Sequence, residues 1–391
     1  MKPVTLDKSS VLLFVILAFL AGTLVFLGLS LRSDAAEEAV KEDRILNVLF
    51  VLELEGKPVA TELCLMYPST GKGALLDVPG ETGLILKSLN RVDRIDAVYD
   101  PRRPKTFVDE VSNLLDAEVP YWIVLDEKSL SSLVDLLEGV ELFIPQPLAS
   151  AGPPRVLLPA GALVLDGDKL VQYASYREAE EGEGEAAARR QKLLQSLLRR
   201  IGEKASWLER PEAFQAFHRL LRTNLSADLS RRFAAELGKL DADRLVLQRV
   251  TGVFRQVDGK RLLFPHYDGE LVKDIVKQTL NALSSSGADA VADKIFTVEI
   301  LNGTPGKGLA KRTAEIFQSF GYDVVSVGNA DREDYGSTLV IDRFSNPEAA
   351  KNVADVIRCS SVSAQAGMPG ETVADFTVIL GKDFNGRYCA K

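Results

Sequence analysis

Apolar residues recur along this chain in three rhythms. From Val11 to Leu31 they run almost unbroken, VLLFVILAFLAGTLVFLGLSL, 21 residues without a charge. At about 1.5 Å per residue, a helix of that length covers roughly 30 Å, the thickness of a bilayer's hydrocarbon core. The apolar stretch of a cleaved signal peptide is shorter, about 7–15 residues, and needs small residues at its cleavage site. Here Ser33-Asp34 precede Ala35-Ala36. Residues 11–31 are therefore expected to be a transmembrane anchor, with 1–10 a cytoplasmic head and the charged, alanine-rich 32–44 a stalk. Lys2 and Lys8 stand before the run, and Asp34, Glu37, Glu38, Glu42 and Asp43 after it. Positive charge stays inside, which puts the bulk of the chain outside the cytoplasmic membrane, in a periplasmic or extracellular space.

Beyond the stalk, short β-rich runs alternate with stretches of helical period. Ile45–Leu54 is β-rich and mostly apolar, as expected of a strand buried on both faces. Thr61–Tyr67 and Gly73–Val78 read as strands joined by the Pro68-Ser69-Thr70-Gly71 turn, Trp122–Leu125 and Val140–Ile144 as two more, and Leu245–Val250 and Arg261–Phe264 as later ones. Helical spacing marks Thr106–Leu115, Ser129–Leu137, a helix from about Lys169, Ala186–Ile201, Pro211–Arg222 and Ala227–Leu237. Glu178–Glu185 reads as an acidic loop and Ser284–Gly287 as a linker. A weak repeat follows: strand Thr297–Leu301, glycine loop Gly303–Gly308, helix Leu309–Phe320 and strand Asp323–Val327. It recurs as strand Thr338–Asp342, helix Pro347–Arg358 and strand Asp375–Leu380. The class is α/β or α+β around a mixed central sheet, with a larger domain over 45–282, a linker over 283–294, and a small α/β domain of two βαβ-like units over 295–391.

Composition narrows the function. A net charge of −8 argues against a nucleic-acid surface, and an outward location excludes ATP-driven chemistry. Two histidines leave little for a histidine metal site or a histidine triad. Of the three cysteines, Cys64 lies in an apolar strand, whereas Cys359 and Cys389 either pair in an oxidising compartment or stand as separate thiols. The glutamates of the acidic loop suggest a divalent ion, but Gly182 and Gly184 loosen the geometry and favour a solvated loop. Leu309-Ala310 after Gly308 breaks the P-loop pattern and leaves a strand-to-helix turn. Asn224-Leu225-Ser226 fits both a glycosylation acceptor and a helix cap, and Tyr121-Trp122 are expected in the core.

Several stretches, in order, resemble the LytR-CpsA-Psr family of envelope proteins: ALLDVPGETGLIL, SLNRVDRIDAVYD, FVDEVSNLLDAEVPYWIVLD, SLVDLLEGVELFIP, LPAGALVLDGDKLVQYASYR, RRQKLLQSLLRRI and TNLSADL. The later VEILNGTPGKGLAKRTAEIFQSFGYDVVSVGNA and TVILGK are similar to the LytR C-terminal domain. The resemblance implies a phosphotransferase fold that moves a glycopolymer from a polyprenyl-diphosphate carrier to peptidoglycan. Clustered arginines grip the diphosphate and aspartates hold Mg²⁺, because bidentate guanidiniums and a divalent ion offset charge on the leaving oxygens. Against that pattern the family's Pro-Arg-Asp turn reads Pro79-Gly80-Glu81, Ser175 replaces an arginine between Tyr173 and Arg177, and Ala187 stands at an earlier arginine position before Arg190-Gln191. The Arg-Ser-Asp segment falls at Lys57–Ala60 without its aspartate.

The resemblance thus leaves a thinned cluster, Arg94, Arg177, Arg190 and Lys57, to bind polyprenyl phosphate, with Glu81 as a metal ligand and Mg²⁺ as cofactor should the protein be active. The expectation is a membrane-anchored envelope protein that binds polyprenyl-phosphate lipid, glycopolymer or a protein partner through its C-terminal domain, with catalysis reduced or absent. The alternatives are an active Mg²⁺-dependent transferase using Glu81 and Glu53 as altered ligands, and a structural envelope scaffold.

Overall fold

The computed structural model describes residues 45–150, 156–177, 183–284, 296–343, 346–364 and 374–390. The expected anchor, head and stalk lie outside them; among the described residues no helix is long and apolar enough to cross a membrane.

The first strand is the axis of the larger domain. β1 (Leu46–Leu54) turns through Glu55-Gly56, both with positive φ, into the antiparallel β2 (Lys57–Tyr67), which turns again into β3 (Lys72–Asp77). A hairpin, β4 (Gly83–Leu86) and β5 (Arg91–Arg94), projects beyond β3. Helix α1 (Lys105–Leu115) leads to β6 (Tyr121–Asp126), parallel to β1. Asp126 caps α2 (Glu127–Leu136), which precedes β7 (Val140–Ile144), the short β8 (Leu148–Ala149) and β9 (Leu157–Leu158), and β10 (Gly161–Leu165). Asp166 caps α3 (Gly167–Ser175). Helices α4 (Glu183–Glu203), α5 (Ala205–Leu208) and α6 (Pro211–Leu220) run on to β11 (Arg222–Thr223). Then come α7 (Ala227–Leu237), β12 (Val246–Arg249), the hairpin β13 (Gly252–Val257) and β14 (Lys260–Pro265), and α8 (Glu270–Ser284).

The main sheet has the order β11-β6-β1-β2-β3-β12. Strands β1, β3, β6 and β12 point the same way, so their carboxyl ends share one edge. Alternation along β1 sends Leu49 and Val51 to one face, against α1 and α8, and Val48, Phe50 and Leu52 to the other, against α2, α3, α4 and α7. The leucines at 193, 194, 197 and 198 and Ile201 form the buried stripe of α4. Helix α8 is not among the elements read from the sequence, yet Leu271, Val272, Ile275 and Val276 repeat at helical spacing and are buried.

The C-terminal domain holds β15 (Thr297–Asn302), α9 (Leu309–Ser319), β16 (Asp323–Asn329), β17 (Leu339–Asp342), α10 (Pro347–Val356), β18 (Val362–Ala364) and β19 (Phe376–Leu380), in sheet order β16-β15-β19-β17-β18. The first expected βαβ unit is present as β15-α9-β16. The second differs: β18 closes it, and the apolar strand at 376–380 enters the centre, parallel to β15 and antiparallel to β17. All five residues of β19 are buried, which suits a central position rather than an edge. One hydrophobic cluster runs from β1, α1 and α8 into Phe296, Ile300, Phe317 and Phe376 of this domain.

Other expectations shift locally. Arg222 is not the end of a helix but pairs in β11 with β6, because α6 stops at Leu220. Val140–Ile144 joins β10 in a separate two-stranded sheet. Glu183–Glu185 already belong to α4, while residues 178–182 lie outside the described set. Ser226 caps α7, and Asn224 binds backbone at Trp122 and Pro120. Tyr121 and Trp122 are only half-buried. The Gly303–Gly308 loop is an Asx turn built by Asn302, ending at Gly308 with φ +74°. Cys64 is buried, and Cys359 and Cys389 lie side by side as hydrogen-bonded thiols.

Helix α4 meets α7 at Gly202, where an added Cβ would sit 2.4 Å from the Leu237 carbonyl oxygen. Alanine normally stabilises a helix interior by about 1 kcal/mol over glycine. Here the contact reverses the sign: Gly202→Ala is expected to lower stability by about 1–3 kcal/mol, read from the denaturation midpoint.

Candidate functional site

The carboxyl edge of the sheet gathers the charge. The β2–β3 register sets Glu62 opposite Asp77 on the face covered by α4. The two are 1% and 3% exposed, so the apolar interior holds two adjacent acids. Gln191 of α4 answers the first: its amide nitrogen donates to Glu62 Oε2 at 3.0 Å and to the carbonyls of Leu75 and Gln248 at 3.2 and 2.9 Å. Arg249, at the end of β12, answers the second, with Nε 2.9 Å from Asp77 Oδ2.

Burial is the main cause that pushes both carboxyls up. Glu62 is raised well above its usual range, by desolvation and then by the Asp77 charge, against the Gln191 hydrogen bond and Arg249. Asp77 is raised to about 6, by desolvation first, with Arg249 and Arg190 opposing and Glu81 adding to it.

Around this pair the expected site residues take different positions. Arg190 is 5% exposed; Nε donates to the Ala174 carbonyl at 3.1 Å and Nη1 to that of Val59 at 2.8 Å. Arg190 is thus a buried clamp between α3, α4 and β2, not a solvated surface charge. Glu81 is half-buried in the Pro79-Gly80-Glu81 turn and bears electrostatically on Asp77. Arg94 lies across that turn and grips Asp96 with Nε 2.9 Å from Oδ1. Gly80 presses on Asp96, so even a Cβ there would lie 2.9 Å from Oδ2. Lys57 is exposed at the tip of the β1–β2 turn, and Arg177 is exposed just past Tyr176. The structure therefore brings Arg190 and Glu81 to the buried acids, places Arg94 beside the turn, and leaves Lys57 and Arg177 at the solvent margin.

Sequence reasoning missed Glu62, Asp77, Arg249, Tyr99 and Arg222. The signal was present for two of them: a lone acid within TELCLMY and within ALLDV faces inward once register is known. Glu53, considered as an altered metal ligand, is 7% exposed, accepts hydrogen bonds from Tyr99 Oη and Arg222 Nη2, both at 2.5 Å, and is committed to that pair. Beside the acids, between the sheet and α4, runs a narrow apolar cleft lined by Phe50, Leu52, Leu130, Leu193, Leu197 and Arg190. Its interior admits little more than a water-sized sphere.

Glu81 is the expected Mg²⁺ ligand, and a cation of that kind takes one or two carboxylates together with waters and substrate oxygens. Among the described residues no three acid, histidine or cysteine side chains converge on a common point. Of the acids near Glu81, Glu62 and Asp77 are buried, the first hydrogen-bonded to Gln191 and the second paired with Arg249. Glu81 remains a single carboxylate beside them.

A mixed sheet with helices on both faces and a charge cluster at its carboxyl edge define an α/β domain, with a small α/β module packed against it. The chain belongs to the LytR_cpsA_psr family, whose sequence pattern matches residues 68–279. Residues 296–384 match LytR_C, described as LytR cell envelope-related transcriptional attenuator. Among solved structures it is similar in fold to TagV of B. subtilis (15% identity, TM-score 0.55, covering 61% of this chain and 98% of that one) and to gbs0355 from Streptococcus agalactiae (17%, 0.54, 62% and 90%). It is also similar to TagT bound to LI-WTA (16%, 0.50, 62% and 91%). Among curated proteins no sequence matches significantly.

Because Asp77 and Glu62 hold protons more tightly folded than unfolded, their contribution to stability is fully present below about pH 4 and is lost as pH rises through about 6 for Asp77, by up to about 3 kcal/mol. Asp93, held down to about 2 mainly by the Lys260 hydrogen bond, acts in a separate window, losing its contribution only as pH falls below about 4. Asp77→Asn is expected to flatten the pH 4–7 slope of the denaturation midpoint; an unchanged slope would contradict the buried-acid account.

Proposed function

We propose that this protein is anchored by residues 11–31, faces outward, and binds an envelope glycopolymer or its polyprenyl-phosphate carrier at the carboxyl edge of the larger domain, with catalysis reduced or absent. Family membership supports the envelope role, and the family relative TagT is known bound to LI-WTA. The observation that carries the loss of catalysis is the internal use of the site's charges. Arg190 serves the carbonyls of Ala174 and Val59, Arg249 serves Asp77, and Gly80 occupies the turn where the family pattern has an arginine. Stabilising a leaving diphosphate needs donors poised at the reacting oxygens, and each one missing costs about 2.7–4 kcal/mol of barrier. Arg94, Arg177 and Lys57 at the margin supply enough positive charge to hold a phosphate without driving its transfer. The C-terminal domain, packed against α8, acts as a docking module for a protein partner.

The test is binding of polyprenyl diphosphate to the full chain in bilayer discs, with and without Mg²⁺, assaying product in the same samples. Binding without product is expected, weakened about tenfold by Arg94→Ala or Arg177→Ala, the loss of one charged hydrogen bond. Mg²⁺-stimulated transfer would make the protein an enzyme, and no binding would leave the scaffold reading.

A further inference from the structure

Two hairpins stand beyond the carboxyl edge, β4–β5 and β13–β14, and lean on each other. Thr82 bridges to Leu263, the Leu263 N–H donates to the Glu81 carbonyl, and a Cβ on Gly83 would touch Leu262 at 2.9 Å. Lys260 of one hairpin reaches both carboxylate oxygens of Asp93 in the other at 2.8 Å. They form a single projecting unit.

The outer residues of that unit are unlike the rest of the surface. Ile85 is 72% exposed and paired in register with the exposed Val92; Val253 and Phe254 are exposed on the neighbouring hairpin. Lys87, Arg91, Arg94, Arg255, Lys260 and Arg261 accompany them, against Asp93, Asp258 and the Asp96 that pairs Arg94. That is a local net charge of +3 on a chain whose net charge is −8. Arg261 lies over the Phe254 ring, 3.8 Å from its centroid. Exposed aliphatic and aromatic side chains interleaved with lysine and arginine suit a layer whose surface is anionic and whose depth is apolar.

We propose that the β4–β5 and β13–β14 hairpins dock on the anionic face of the lipid bilayer. The inference rests on the reading that residues 11–31 hold the chain at a membrane. Thirteen residues, 32–44, lie between that run and the first described residues; extended, they reach about 45 Å, whereas the nine residues of β1 rise only about 30 Å. The tether is therefore long enough for the far edge of the sheet to lie down on the surface. The docked hairpins bring the Glu81 turn to the level of lipid headgroups. A soluble polyanion would match the basic residues but not Ile85, Val253 and Phe254. Two other exposed apolar sets lack this character: Phe143, Leu157 and Val164 lie on strands whose one charge is Glu141, and Val325 and Val327 lie on β16, whose one charge is Asp323.

The experiment places the full chain with vesicles whose acyl chains are brominated, with tryptophan reporters from Phe254→Trp and, separately, Ile85→Trp. With about one third anionic phosphatidylglycerol, both reporters are expected to be quenched at least about twofold more than in neutral vesicles, and the difference to vanish near 1 M salt. Arg255→Glu combined with Lys87→Glu abolishes the difference. Circular dichroism confirms that each variant is folded. Equal fluorescence in anionic and neutral vesicles overturns the proposal, as does quenching confined to a Phe143→Trp reporter. Flotation of the same samples reads the anchor separately: vesicles that carry the chain without quenching the reporters sink the docking alone, and quenching of a chain that does not float sinks the anchor alone.

Discussion

Two carboxyl groups meet across β2 and β3 in a place that water does not reach. A buried acid without partners costs several kcal/mol, so the surrounding chain is arranged around Glu62 and Asp77. Gln191 spreads one amide group over β2, β3 and β12, which fixes the height of α4 on the sheet. Arg190, one residue earlier, ties the same helix to β2 and to the end of α3. Arg249 closes the cluster from β12. The apolar stripe of α4 sets which face it buries, and the polar contacts set its register. That division of labour is general: hydrophobic burial is non-directional, while hydrogen bonds select one arrangement among many of similar area.

The second domain depends on the first through both kinds of contact. Its core is continuous with that of the sheet through α8. At the seam, Gly321, with φ +86°, ends α9 and lies so close to β12 that a Cβ would meet Val246 at 2.9 Å. The Thr251 and Ser319 hydroxyls are 2.6 Å apart across it. Asp274 of α8 collects Arg387 at 2.9 Å, the Tyr388 hydroxyl and Arg358, so the last turn of the chain is bound to the first domain's final helix. Burial of Arg387 lowers its proton affinity, and Tyr388, Asp274 and Tyr267 only partly oppose this. The module is seated, and its position relative to the charge cluster follows from these few side chains.

This seating gives the site its character. A phosphate-transferring pocket keeps its guanidiniums open to the ligand, whereas here the buried ones serve protein oxygens and the accessible ones lie at the rim. The apolar cleft behind the rim is narrow, since Leu193 and Leu197 of α4 fill the space over Phe50 and Leu52.

How much of this was legible beforehand divides along physical lines. Period and breakers determined the strands from 46 to 77, the helices at 105–115 and 227–237, and the α/β class, because alternation and turn chemistry act over a few residues. Sequence also determined the family, the thinned arginine set and the apolar run at 11–31. It did not reveal that Glu62 faces Asp77, that Arg190 is buried, or that Glu53 belongs to Tyr99 and Arg222, residues 46 and 169 positions away. Nor did it show that the strand at 376–380 crosses to the centre of its sheet. Such pairings depend on register between strands distant along the chain, which only the closed sheet decides: shifting one strand by a single residue would turn each of these side chains to the opposite face.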